Sequence, residues 1–215
     1  MQVNEIIKLS AIFAGEEEVA NLSMFNVQAI MEPEEIPEIS GDTEQGEGET
    51  SGEDVVQDDE VLLNKAKTFL QCLNLVLEDI ARDYMPLLCE EEIVFSNKKF
   101  EYANLSKVIG DIIKLQATNG LAVKFKCFPT FIKADVKKAV LTYSYLPEKV
   151  DFNGIFNDFS SKLTERIIAY GVAMEYLFLN SLSDEAAVWE NRFLNSLESA
   201  LRKKHNISLP KRRWI

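Results

Sequence analysis

The sequence predicts an α+β fold, a helical bundle built from N- and C-terminal helices with an inserted small, mostly antiparallel β-sheet. Three observations carry this. Apolar residues recur at helical spacing from Leu63 to Tyr84 and again after Leu163, while between about residues 92 and 146 they alternate. Asn119-Gly120 stands between two apolar runs, the strongest short-range hairpin signal. The order helix, sheet, helices, with no internal repeat, separates the two structure types along the chain.

Residues 1–31 open the chain as a helix and a docking segment. Val3, Ile6, Ile7, Leu9, Ile12 and Phe13 fall at mixed spacings of three and four, which predicts one short amphipathic helix ending near Gly15, a residue suited to a left-handed cap. A helix of roughly 14 residues is marginal alone, so it must dock on something. Leu22, Met24, Phe25, Val27, Ile30 and Met31 follow less regularly. They either pack on the body or form a short motif for a partner.

Residues 32–60 are a flexible acidic spacer. They hold 13 Asp or Glu and no Lys or Arg, with Pro33, Pro37, Gly41, Gly46, Gly48 and Gly52 among them. The net charge of −12 therefore arises here, because residues 61–215 carry 22 basic and 18 acidic side chains. The segment is either a solvated spacer or a surface for a basic partner.

The α+β body spans residues 61–201. Leu63, Ala66, Leu70, Leu73, Leu77, Ile80 and Tyr84 form one stripe of a helix over about 60–85. Asp58 or Asp59 caps its start and Pro86 stops it. A sheet of four or five strands follows, over about 92–146. Asn97 and Lys98 make a turn, and Leu121, Val123, Phe125 and Cys127 alternate with Ala122, Lys124, Lys126 and Phe128. Leu141, Tyr143 and Tyr145 give one aromatic strand face, and Pro129 and Pro147 close two strands.

Two helices complete the body, over about 152–180 and 183–202. Leu163, Ile167, Tyr170, Met174 and Leu177 repeat helically, and Gly171 inside that run predicts a close approach by another element. Ser183, Asp184 and Glu185 open the last helix, whose face is Ala186, Trp189, Phe193, Leu197 and Leu201. The residues expected to pack helix on helix are Leu73, Leu77, Ile80, Tyr84, Arg166, Tyr170, Gly171 and Trp189.

Composition excludes many activities. The single histidine, His205, lies in a basic run and has no metal-ligating or catalytic neighbours in sequence. There is no phosphate-binding loop and no dinucleotide glycine motif. Glu90, Glu91 and Glu92 read as a solvated charge run at a helix exit rather than acid/base groups. No catalytic residue, metal site or cofactor is expected. Cys72, Cys89 and Cys127, odd in number and far apart, read as buried free thiols of a reducing compartment. No apolar run reaches the ~18 residues of a membrane span, and the first residues lack a signal-peptide pattern. Cytoplasmic synthesis and no membrane contact are the expectation.

Residues 202–215 are a basic tail with six cations and no acid. Lys203, Lys204, Lys211, Arg212, Arg213, Trp214 and Ile215 are the candidate partner-binding residues. Arg and Trp are common interface anchors, which favours a protein partner. Nucleic acid, through phosphate contacts, and a free terminus stay open. The residues alone indicate an α+β interaction or assembly protein.

Three stretches carry a resemblance. They are Val3-Asn4-Glu5-Ile6-Ile7-Lys8-Leu9 running into Gly15-Glu16-Glu17; Cys72 to Ala81 with Asp83-Tyr84-Met85-Pro86-Leu87; and Leu163-Thr164-Glu165-Arg166 through Ala169–Tyr176 to Glu185–Glu190. Together they resemble the head-to-tail connector (adaptor, or neck-ring) proteins of tailed bacteriophages, over most of the chain outside the acidic spacer. The spacer and the sheet depart from the short all-helical members. The resemblance implies a structural virion protein of the neck, assembled in the host cytoplasm as a homo-oligomeric ring, usually of twelve copies. Such a ring docks under the portal protein, extends the DNA exit channel and offers a surface to tail or neck proteins. DNA is met only as it passes through. On this reading the basic tail anchors to portal subunits. The alternative is a cytoplasmic nucleic-acid-binding or regulatory interaction protein.

Overall fold

A computed structural model describes residues 1–22 and 53–202, with the backbone alone over 53–59. The tail residues Lys203, Lys204, Lys211, Arg212, Arg213, Trp214 and Ile215, the segment Met24–Met31 and most of the acidic spacer lie outside the described residues.

The chain is α+β, as expected. Helix α1 (Val3–Phe13) ends where Gly15 takes φ +80°, a left-handed conformation natural to glycine. A short α2 (Glu17–Asn21) and the long α3 (Glu53–Asp79) follow. After the strands come α4 (Glu165–Leu179) and α5 (Ser183–Leu201). Helix α1 lies against both α3 and α4, and α4 lies against α5. Its buried Val3, Ile6, Ile7 and Ala11 give the short helix the docking surface it needs.

Six strands lie between α3 and α4: β1 (Leu87–Val94), β2 (Lys99–Glu101), β3 (Ile109–Ala117), β4 (Phe125–Cys127), β5 (Phe131–Ala134) and β6 (Lys138–Tyr145). They form two three-stranded antiparallel sheets, β1-β6-β3 and β2-β5-β4, rather than one sheet of four or five strands. The first begins at Leu87, ahead of the expected residue 92. Each body has its own core. Phe69, Leu73, Leu77, Ile80, Ile168 and Val172 belong to the helical one; Ile93, Leu115, Ile132, Leu141 and Tyr143 belong to the sheet one. Tyr145 packs against both and marks the seam.

Four expectations are corrected. Helix α3 starts at Glu53, inside the supposed spacer, so Asp58 and Asp59 are helical residues and not caps. Its last turn is a π-turn, Ile80–Tyr84, closed by Met85 N–H donating to Ile80 O at 2.7 Å. The extra residue in that turn rotates Tyr84 out of the stripe, leaving it 37% exposed while Leu73, Leu77 and Ile80 are buried. The stripe is also broader than its 3–4 repeat, since Phe69, Cys72 and Val76 are buried beside it.

Residues 152–164 are not helical, and α4 begins only at Glu165. Phe152, Phe156 and Phe159 mimic helical spacing and all are buried, but the backbone is claimed elsewhere. Gly154 O accepts from Val3 N–H at 3.2 Å, and Phe156 N–H donates to Met1 O at 3.2 Å. Asn74 clamps the loop from α3, accepting from Val150 N–H at 2.8 Å and donating to Val150 O at 3.3 Å.

The two expected turns form. Asn97 and Lys98 both have positive φ, and Ser96 and Lys99 exchange backbone hydrogen bonds across them. At Asn119-Gly120, Gly120 takes φ +82° and Ala117 N–H donates to Leu121 O at 2.8 Å. Pairing with β3 soon ends, however, at a bridge between Gln116 and Ala122. The strand that follows is short, and it pairs with β5 in the second sheet.

Candidate functional site

No His, Cys, Asp or Glu cluster able to hold a metal occurs among the described residues. The carboxylates Glu90, Glu91 and Glu92 lie on strand β1, not at a helix exit. Alternation therefore sends Glu91 to the opposite sheet face from its neighbours. Glu90 accepts from Thr142 Oγ1 at 3.1 Å and pairs with Lys114 at 3.3 Å, and Glu92 pairs with Lys138 at 3.6 Å. Glu91 accepts from Tyr143 Oη at 2.9 Å and from the Ser106 hydroxyl. Its burial alone would raise the carboxyl, but the hydrogen bonds from Ser106 and Tyr143 outweigh this and hold it below the usual range. Burial, and then Glu91 itself, push the Tyr143 hydroxyl up to about 12. Both groups keep one protonation state near neutrality, which suits a fixed strut and not proton transfer.

Of the predicted helix-packing residues, Leu73, Leu77, Ile80, Tyr170, Gly171 and Trp189 lie in or against the helical core. Tyr84 is largely turned out, and Arg166 is exposed and bonds within its own helix. Gly171 on α4 sits where α3 and α5 converge: a Cβ there would stand 2.9 Å from Val76 Cγ1 and 3.1 Å from the Phe193 ring. The close approach that its position in the sequence suggests is thus present. The neighbouring Tyr170 stacks on Trp189 with ring centroids 5.5 Å apart, and Phe13 of α1 lies 5.1 Å from Tyr170 and 4.8 Å from Trp189. Two guanidinium groups cover this cluster. Arg166 Nε donates to Tyr170 Oη at 2.5 Å, and Arg192 lies 4.7 Å from the Trp189 ring centroid. Arg166 and Arg192 are themselves exposed. Trp, Tyr and Arg in contact on one surface is the composition of a protein-binding hot spot.

A second junction was missed by periodicity. Glu16, just past α1, accepts from Lys65 Nζ at 2.7 Å and from Tyr176 Oη at 2.8 Å, and the Tyr176 ring stacks on Phe69 at 4.0 Å. Burial alone would raise the Glu16 carboxyl, but the bonds from Lys65 and Tyr176 prevail and lower it. The only signal in the sequence was a run of three carboxylates, Glu16, Glu17 and Glu18, directly after a helix-ending glycine.

Charge separates by body. Residues 87–145, which hold both sheets, carry nine lysines and six acids, whereas residues 146–201 carry four basic and nine acidic side chains. Among the described residues no helix is long and apolar enough to cross a membrane. No known family model and no curated protein matches the chain.

Proposed function

We propose that the chain is a structural subunit of a phage head-to-tail connector, forming a homo-oligomeric ring under the portal and presenting a surface to tail or neck proteins. The observation that best supports this is the charge division just described. A subunit with a cationic sheet body and an anionic helical body meets its neighbour most favourably head to tail, and a rotation that closes such heterologous contacts gives a ring. The exposed Arg166 and Arg192, lying over the buried Tyr170 and half-buried Trp189, add a surface with elements of hot-spot composition on the helices that lead into the basic tail. The tail then anchors to the portal, and the virion neck is the site of action. No chemistry is assigned to the subunit.

Truncation after Leu209 tests the docking step. The shortened chain is expected to keep the far-UV spectrum and melting temperature of the full chain and to lose co-sedimentation with portal. Undiminished co-sedimentation would remove the tail from the account.

A further inference from the structure

The register of the second sheet places three lysines side by side. Lys99 of β2 faces Lys133 of β5, and Lys133 faces Lys126 of β4. All three are exposed, because the inward positions on these strands belong to Phe100, Ile132, Ala134 and Phe125. Strand spacing puts the row across about 10 Å. Like charges directly opposite one another destabilise a sheet. Four lysines of this body have carboxylate partners: Lys98 with Asp135, Lys107 with Glu148, Lys114 with Glu90 and Lys138 with Glu92. Among the described residues none of the three ladder lysines has one. The ladder is a local cost that folding alone does not require.

Aromatic rings adjoin it on the same face. Phe131, two residues before Lys133, stacks on Phe128 with centroids 4.5 Å apart and planes 14° apart, and the Lys99 ammonium lies 5.0 Å from the Phe131 centroid. Phe128 itself is 40% exposed. An antiparallel face bearing a row of cations and an exposed ring supplies the two elements that hold single-stranded nucleic acid: phosphate neutralisation and base stacking. An acidic protein segment would satisfy the lysines but would leave Phe128 without a flat partner.

We infer that the outer face of the β2-β5-β4 sheet binds single-stranded nucleic acid, with Lys99, Lys133 and Lys126 on consecutive phosphates and an unpaired base stacked on Phe128. This does not rest on the connector reading, and its test uses no portal.

The full-length protein is titrated into a fluorescent dT oligomer of about 20 nucleotides, read by anisotropy. Three neutralised phosphates predict an affinity that falls about 20-fold between roughly 50 and 200 mM salt. The triple variant Lys99→Gln, Lys126→Gln, Lys133→Gln should lose at least about tenfold in affinity at the lower salt, with a flatter salt dependence. Its melting temperature should not fall, since like-charge repulsion has been removed. Phe128→Ala should weaken dT binding by about fivefold or more and leave duplex binding unchanged. Neutralising Lys211, Arg212 and Arg213 instead should change dT affinity less than the sheet variant does. No dT binding at the lower salt would overturn the inference, as would a sheet variant that binds like the parent. Poly-glutamate binding as tightly as dT would also overturn it, making the face a site for acidic protein.

Discussion

Gly171 lies so close to Val76 that a Cβ on the glycine would stand 2.9 Å from Val76 Cγ1. Helices α3 and α4 are therefore joined at a point where neither side has room to spare, with the Phe193 ring of α5 3.1 Å away on the third side. Gly171→Ala gains up to ~1 kcal/mol of helix propensity but must push a buried, β-branched side chain and a ring aside. A net loss of about 1–2 kcal/mol is expected in urea unfolding. A gain in stability would show that the three helices are free to separate.

Glu16 ties α1 to both α3 and α4, and its effect should depend on pH. Its carboxyl titrates lower in the fold than in the unfolded chain, so its contribution is present above the unfolded carboxylate value near 4.5. It is lost as pH falls through the lower folded value. Glu16→Gln is thus expected to destabilise by ~1 kcal/mol at neutral pH, the partial exposure of Lys65 and Glu16 limiting the effect. The difference between variant and parent should vanish in acid. Melting curves taken from neutral pH down through the folded carboxyl's titration check both parts.

Glu175 should behave in the opposite sense. Burial, then the neighbouring charges of Asp79 and Glu190, hold its carboxyl above the ordinary value. Such a group costs stability as pH rises through its folded value, and the cost is absent below the unfolded value. Glu175→Gln is expected to raise the melting temperature at neutral pH and to leave it unchanged in acid. An unchanged melting temperature at both values would show the acidic neighbours to be screened.

The three thiols should separate by rate. Cys127 is exposed, Cys89 half-buried and Cys72 buried. Burial, with Glu175 nearby, also pushes the Cys72 thiol up to about 12. Timed alkylation read by mass spectrometry should modify Cys127 first, Cys89 more slowly and Cys72 only on unfolding. The composition had suggested three buried thiols, and the exposure of Cys127 corrects that.

Much of the helical body was legible in the sequence because its signals are local. Gly171 stood inside an unbroken apolar repeat, Gly15 closed a helix, and Leu73, Leu77 and Ile80 kept strict spacing. The errors have local causes too. Tyr84 continues the repeat on paper, but a π-turn changes the angle per residue, which spacing cannot reveal. Phe152, Phe156 and Phe159 imitate a helix whose backbone hydrogen bonds are in fact taken by Met1, Val3 and Asn74, the first two about 150 positions away. Strand register was the least legible feature. Lys99, Lys126 and Lys133 look like three unrelated surface lysines until β2, β5 and β4 align, and Glu90 to Glu92 look like one cluster until alternation divides them.

Negative-stain electron microscopy of the purified chain, alone and mixed with portal, tests the central claim most directly. The account predicts closed rings, formed alone or on the portal, that loosen as salt rises because opposite charges join neighbouring subunits. Monomers or dimers under both conditions, with bare portals in the mixture, would contradict it.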